Sequence, residues 1–353
     1  MTKKLDKLRK NIDDIDKKLL ELISNRGLLA KEIGLLKDDG VIYKPEREAQ
    51  VITKLIKENK GPLSNDSVTN IYKAIISNCR ALEKKLAISF LGPSGTFSEE
   101  ATIKHFGENV KSIPTNSIDE VFNNVQSEKV HYGVVPIENS TEGGISRTLD
   151  LLLMKDLKIC GEITLPVHHC LISKSKDLKK ITSIYAHGQS LAQCHDWIAN
   201  NLPNAEKITV LSNAEGAKIA TKEKYSAAIA SARAASIFKL NILQNHIEDE
   251  PNNTTRFLIL SDQEISPSGN DKTSIVVATK NKPGAIVDLI QPFASRKVSL
   301  TKLESRPSRI GMWEYVFFID IEGHRDDSKI KLCLKDIEKK SSFMKFLGSY
   351  PKN

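Results

Sequence analysis

At 353 residues the chain is long enough for two or three domains with ample core. A net charge of +8 admits nucleic acid or small anions as partners, but charges of alternating sign and few aromatics for stacking favour small anions. No apolar run approaches the ~20 residues of a membrane span, and Met1-Thr2-Lys3-Lys4 leads into a charged segment without a signal-peptide core, so a cytosolic protein is expected.

Residues 1–85 hold 19 Lys/Arg against 13 Asp/Glu, a surplus of +6. Apolar residues recur at Leu8, Ile12, Ile15, Leu19, Leu22, Leu29, Ile33 and Leu36, a heptad seam on one helix from Leu5 to Lys37. The seam predicts an apolar residue at position 26, where the chain has Arg26. Such a cation either snorkels to water or lines a pocket. Two shorter helices follow, one from Glu46 to Glu58 after Pro45 and one from about Asp66 to Lys85. Three helices this unequal leave a seam of about 50 Å uncovered within one chain, which implies an intertwined dimer.

Leu8-Arg9, Ile12-Asp13, Ile15-Asp16, Asn25-Arg26, Lys37, Pro45-Glu46-Arg47-Glu48 and Arg80-Ala81-Leu82-Glu83 together resemble the all-helical chorismate mutases. The resemblance implies that Arg9 from the partner chain, with Arg26 and Arg47, holds the two carboxylates of chorismate. It places Lys37 and Glu83 at the ether oxygen of the breaking bond and Glu48 at the ring hydroxyl. The rearrangement to prephenate is unimolecular, so fixed cations around a compressed substrate suffice. Glu83 stands where some members carry Gln, and a Glu donates to the ether oxygen only when protonated. Mutase activity is therefore expected to decline from mildly acid to alkaline pH.

A strand at Ala87–Leu91 follows without a flexible linker and opens a domain placed at residues 86–265. Strand-like runs at 131–137, 159–173 and 184–186 alternate with helical patterns after the Ser117-Ile118-Asp119-Glu120 capping box and at Ser190–Asn200. This alternation predicts largely parallel sheets in two lobes with a cleft, a periplasmic-binding-protein-like α/β architecture. Five scattered cysteines without a C-x-x-C pair read as reduced thiols, and His168-His169 with Cys170 lacks a second ligand pair at zinc spacing. Neither G-x-x-x-x-G-K-[ST] nor G-x-G-x-x-G occurs, which disfavours a nucleotide enzyme, including a mutase fused to an NAD-dependent dehydrogenase. Asn252-Asn253-Thr254-Thr255-Arg256, at the mouth of the buried run Phe257-Leu258-Ile259-Leu260, reads either as a polar strand cap with a surface Arg or as a site with a guanidinium for a carboxylate beside a hydroxyl for proton transfer.

Gly92-Pro-Ser-Gly-Thr-Phe-Ser98, Pro136-Ile-Glu-Asn-Ser140, Tyr185-Ala-His-Gly-Gln189 with Gln193-Cys194, and Asn253-Thr-Thr-Arg-Phe257 resemble prephenate dehydratase. By that resemblance Thr255 protonates the departing hydroxyl of prephenate. Arg256, Asn139, Ser140 and Gln193 bind the substrate, Thr96 and Ser98 lie nearby, and Glu138 orders the loop. Ala186 replaces a serine found in many members, whereas His187 is retained. No metal or organic cofactor is implied.

After the turn-rich stretch 266–271 the pattern restarts as βαββαβ over 271–353: strand 272–279, helix 284–296, strands 298–304 and 313–321, helix 328–339, strand 343–347. This order is ferredoxin-like. Pro283-Gly284-Ala285 and Glu304-Ser305-Arg306-Pro307 resemble the ACT regulatory domain of phenylalanine-inhibited dehydratases, which implies L-phenylalanine bound between two such domains; a module used only for dimerisation is the alternative. The combined expectation is a multidomain bifunctional chain, a homodimer or larger, without nucleic-acid or membrane partners. A contrasting reading makes the two-lobed domain a ligand sensor, which leaves the cations of the first 85 residues without a task.

Overall fold

The computed structural model describes residues 2–37, 41–279, 282–307 and 315–352. The chain forms two compact units, residues 1–86 with 106–111, and residues 87–105 with 112–353.

The first unit contains α1 (Thr2–Leu36), α2 (Pro45–Glu58) and α3 (Asn65–Arg80). Proline at the first position of α2 presets φ and holds Lys44 extended before it. Ser64 caps α3 by accepting the Ser67 N–H at 3.1 Å. The eight residues of the α1 seam are 49–79 % exposed, so one chain leaves the apolar stripe bare. The third helix stops at Arg80, five residues short of the expected Lys85, because the N–H groups of Leu82 and Glu83 turn back to the carbonyls of Cys79 and Arg80. Residues 106–111, expected in the next domain, belong to this unit. The Arg80 guanidinium donates to the Phe106 carbonyl at 2.7 Å and stacks on Tyr43, whose ring meets Phe106 edge-on.

In the second unit a first lobe comprises β1 (Ala87–Leu91), α4 (Phe97–Phe106), β2 (Lys111–Thr115), α5 (Ile118–Gln126), β3 (Tyr132–Asn139), β4 (Gly143–Gly144), α6 (Ser146–Met154) and β5 (Lys158–Pro166). The chain then builds a second lobe from β6 (Cys170–Ser173), β7 (Ser183–Ala186), α7 (Gly188–Gln193), α8 (His195–Asn201), β8 (Glu206–Thr209), α9 (Asn213–Ala220), β9 (Ser226–Ala230), α10 (Ala232–Phe238) and β10 (Asn241–Gln244). It returns to the first lobe as β11 (Thr254–Ser261). The first sheet runs β2-β1-β3-β11-β5 with β4 beside β3, and the second runs β10-β6-β9-β7-β8.

These sheets are mixed, which corrects the expectation of largely parallel ones. Pairs β1·β3, β7·β8 and β7·β9 are parallel, while β11 lies antiparallel to both β3 and β5, and β6 to both β9 and β10. Alternation in sequence reports local connections, whereas β11 enters the first sheet from the other lobe. The helix expected over Ser190–Asn200 is two helices broken at Cys194. The second is capped by the Asp249 carboxylate, which accepts the N–H groups of Asp196 and Trp197 from far along the chain.

The third sheet, β13-β14-β12-β15, is formed by β12 (Asp271–Ala278), β13 (Leu300–Pro307), β14 (Tyr315–Glu322) and β15 (Phe343–Pro351). With α11 (Ala285–Ser295) and α12 (Ser328–Lys340) it completes the ferredoxin-like order, every pair antiparallel. The start of the expected strand 313–321 lies outside the described residues. Strand alternation divides its core. Ile275, Val277, Phe317 and Ile319 pack with Leu289, Phe293 and Cys333 of the helices. Val276, Val316, Phe318 and Tyr350 join Ile137, Leu258 and Leu260 of the first lobe.

Candidate active sites

In the first unit the turn after α3 places Glu83 against Gly34, where a Cβ would meet the Glu83 side chain at 3.0 Å. The Glu83 carboxylate there accepts from the Lys37 ammonium at 2.8 Å, and Lys37 also donates to the Ile42 carbonyl. Glu48 accepts from Arg80 at 3.0 Å. Burial pushes the Glu48 carboxyl above its ordinary value, against the pull of Arg80, Lys73 and Arg26. Arg26 is half-buried, Arg47 is exposed, and Arg9 is exposed beside Asp6 at 4.0 Å. The chain thus brings Lys37 to Glu83 and Arg26 into the field of Glu48, while Arg9 points its charge to solvent.

The second unit encloses a cavity of about 410 Å³ between its lobes. Thr96, Ser98, Asn139, Asn253 and Thr255 line it from the first lobe and its return strand, and His187, Gln193 and Asn213 from the second. Pairing of β3 with β11 sets Asn139 opposite Thr255. The Asn139 amide nitrogen donates to Thr255 Oγ1 at 2.9 Å and to Asn253 Oδ1 at 2.8 Å. Its orientation is fixed from behind, because Asn139 Oδ1 accepts the backbone N–H of Thr141 at 3.0 Å and its hydroxyl at 2.6 Å. The Thr255 oxygen therefore accepts from Asn139 and keeps its own proton for another acceptor.

The structure places three further expected residues off the cavity and divides one expected stretch. Arg256 lies one residue from Thr255 on the same strand, so its side chain emerges on the opposite face. It is absent from the cavity lining and instead meets Glu162, Asp320 and Tyr350 at 2.7, 2.7 and 3.1 Å. Burial works against its charge, but Tyr350, Asp320 and Glu162 hold the guanidinium protonated. Glu138, paired in register with Arg256, likewise faces away and accepts from Lys302 at 2.9 Å. Ser140 is exposed outside the lining, where its hydroxyl accepts the Thr254 N–H at 2.9 Å. The effector stretch on β13 is split by the same alternation. Glu304 and Arg306 turn toward Lys302 and Asp150, whereas Ser305 and Pro307 are exposed; Pro283, Gly284 and Ala285 lead into α11, with Gly284 at φ +79°.

No Lys or Arg lines the cavity among the described residues. Helices α4 and α9 both begin at its wall through Phe97-Ser98 and Ser212-Asn213, so backbone N–H groups at helix starts face it. His169 also lines it, although the sequence offers only the His168-His169 pair as a signal. Its Nε2 lies 3.0 Å from Gln193 Oε1, and burial lowers its basicity. Asn213 carries no motif of its own beyond the Ser212 cap before it. His168, His246 and Glu248 bring three donor atoms within 4.8 Å of one another, although Glu248 already binds His168 and the His169 N–H. All five cysteines are free and buried, and burial pushes the Cys333 thiol up to about 11.

Three family models match the chain: chorismate mutase type II over residues 8–84, prephenate dehydratase over 88–265 and the ACT domain over 273–339. The bifunctional chorismate mutase/prephenate dehydratase of Stutzerimonas stutzeri is 48 % identical over 99 % of this chain and 98 % of its own. The prephenate dehydratase of Methanocaldococcus jannaschii is 38 % identical over 75 % of this chain and 98 % of its own. The crystal structure of the Arthrobacter aurescens prephenate dehydratase in complex with L-Phe is 34 % identical, with a TM-score of 0.70, covering 76 % of this chain and 90 % of that one. With a helical first unit and a polar cleft in the second, the chain belongs to the bifunctional chorismate mutase/prephenate dehydratases.

Proposed function

We propose that residues 1–85 convert chorismate to prephenate, that 86–265 convert prephenate to phenylpyruvate, and that 271–353 bind L-phenylalanine as a feedback inhibitor. In the first step Arg26, Arg47 and the partner chain's Arg9 hold the substrate carboxylates, Glu48 meets the ring hydroxyl, and Lys37 with Glu83 brackets the ether oxygen. The bare α1 seam supports a dimer in which two such helices cover each other. Burial of apolar area at ~25 cal/mol per Å² drives that association.

In the cleft, the helix starts at Phe97 and Asn213, with Ser98, Asn139 and Gln193, receive the carboxylates and carbonyl of prephenate. The ring carboxylate leaves as CO₂, and its bonding electrons enter the ring. The carbon–oxygen bond opposite breaks as the Thr255 hydroxyl donates its proton, so that water departs and the ring becomes aromatic. The observation that carries this reading is the fixed Asn139 amide, which leaves the Thr255 proton uncommitted.

The test is to add chorismate to the purified enzyme and follow phenylpyruvate with and without phenylalanine. Thr255→Ala is to accumulate prephenate with mutase turnover intact, and Thr255→Ser is to restore phenylpyruvate. Equal loss of both steps in Thr255→Ala would remove the residue from this role.

A further inference from the structure

Strand β11 has two working faces. Thr255 looks into the cleft, and Arg256, the next residue, looks onto the third sheet. Its guanidinium reaches Asp320 of β14 and the Tyr350 hydroxyl of β15, and it shares Glu162 of β5 with Lys272 of β12, whose ammonium lies 2.6 Å from the other carboxylate oxygen. Ser274 closes the set, donating to Asp320 at 2.6 Å and lying 2.8 Å from the Tyr350 hydroxyl. The neighbouring strand repeats the arrangement. Asn139, which holds Thr255, is preceded by Glu138, and Glu138 is held by Lys302 of β13. Lys302 also contacts Glu304, which packs on Gly144 with no room for a Cβ between them.

Each of the two residues that set the Thr255 proton thus has its chain neighbour gripped by the third sheet. The ladder between β11 and β3 shifts register between Arg256 and Phe257. On its other side β11 pairs with β5 without a shift from Thr254 to Ile259, and Asn139 ties Thr255 to β3, so the Thr255-Arg256 end is held from both neighbours as well as from the third sheet.

We propose that Arg256 is a positioning residue: through Asp320 and Tyr350 it lets the third sheet set where Thr255 stands, and this contact carries the effector's signal to the cleft. The coupling rests on the reading of the third domain as a phenylalanine sensor; the positioning does not. A sheet that moves by a fraction of an ångström moves Arg256, and misplacing a catalytic group by about 1 Å costs on the order of a hundredfold in rate. Substrate affinity is spared, because Arg256 does not touch the cavity.

The test uses the full chain with prephenate as substrate. Arg256→Gln is to lower dehydratase kcat by about thirtyfold or more with KM within about twofold, while mutase turnover in the same chain reports intact folding. Because that variant takes the cation away from buried Asp320, Tyr350→Phe supplies a milder arm that removes only the hydroxyl, with its contacts to Arg256 and Ser274, and keeps the shape. It is to lower kcat about threefold to tenfold, again at constant KM. Asp320→Asn is to raise the phenylalanine concentration for half-inhibition about fivefold or more. A rise in KM at constant kcat in Arg256→Gln or Tyr350→Phe overturns the proposal in favour of a direct grip on substrate. Unchanged inhibition in both Tyr350→Phe and Asp320→Asn, with wild type inhibited, overturns the coupling. Wild-type enzyme indifferent to phenylalanine sinks the sensor reading itself, and the kcat arm then still confirms or overturns the positioning of Thr255.

Discussion

The two sites of this chain treat small dianions by opposite means. The helical unit carries full charges, Arg9 and Arg26 on α1, Lys37 just past its end and Arg47 on α2, while the apolar stripe of α1 is bare and Arg9 stands in solvent. The cleft presents no Lys or Arg among its described lining residues, and its polar groups are already bonded to one another before any substrate arrives. A pericyclic step without a proton transfer needs charge around a compressed substrate, and a second chain can complete that shell. A decarboxylative elimination needs one proton delivered along one line, which a rigid network within a single chain provides. On the reading proposed above, the first site waits for a second chain, whereas the polar groups of the second are already held within one.

The sharpest way to break this contrast is at Thr255. Thr255→Ala is expected to lose roughly two to four orders of magnitude in dehydratase kcat, with mutase turnover unchanged, read from phenylpyruvate and prephenate formation on one preparation. Next comes complementation. Arg9→Ala and Arg47→Ala are each expected to abolish most mutase activity, at about 2–5 kcal/mol per lost charge. After random exchange of subunits between the two variants, about a quarter of the sites combine an intact Arg9 with an intact Arg47, and mutase activity is to return to that fraction. No recovery would mean that each chain builds its site alone. Dehydratase activity is to stay constant throughout.

Smaller effects refine the comparison. The Lys37–Glu83 pair makes Lys37 the donor that the carboxylate holds in place. In the cleft, burial lowers the His169 pKa below its ordinary value. The unfolded chain takes up that proton below about pH 6.5 and the folded chain does not, so the stability from neutral His169 is present above that pH and is lost as pH falls below it. Thermal midpoints of wild type measured from pH 7.5 to 5.5 are to drop more steeply than those of His169→Gln.

Much of this molecule was legible in the chain. The 3.5-residue spacing of the α1 seam marked a helix whose apolar stripe one chain leaves exposed, and Arg26 within it is half-buried in the field of Glu48. The Asn253-Thr-Thr-Arg-Phe257 stretch marked a strand mouth with a proton donor, and Thr255 is found in the cavity. Residue type and local period carry such signals because they reflect which face of a single element must be buried. The resemblance to known families supplied the substrates, which no periodicity could have named.

Three decisions belonged to tertiary structure. The direction of β11 depends on its return from the second lobe, so the mixed sheets were invisible to an alternating pattern. The facing of Arg256 and Glu138 follows from strand alternation, but only the third sheet behind them turns those charges from substrate ligands into a buried network. The helix starts at the cleft wall converge in space from residues 97 and 213. Sequence thus determined which groups are present and which faces are apolar, because those are properties of neighbours along the chain. Which groups meet was decided by packing, because a strand's partners and a helix's target are chosen by surfaces far along the chain, 94 residues on for Arg256 and Tyr350 and 164 for Glu138 and Lys302.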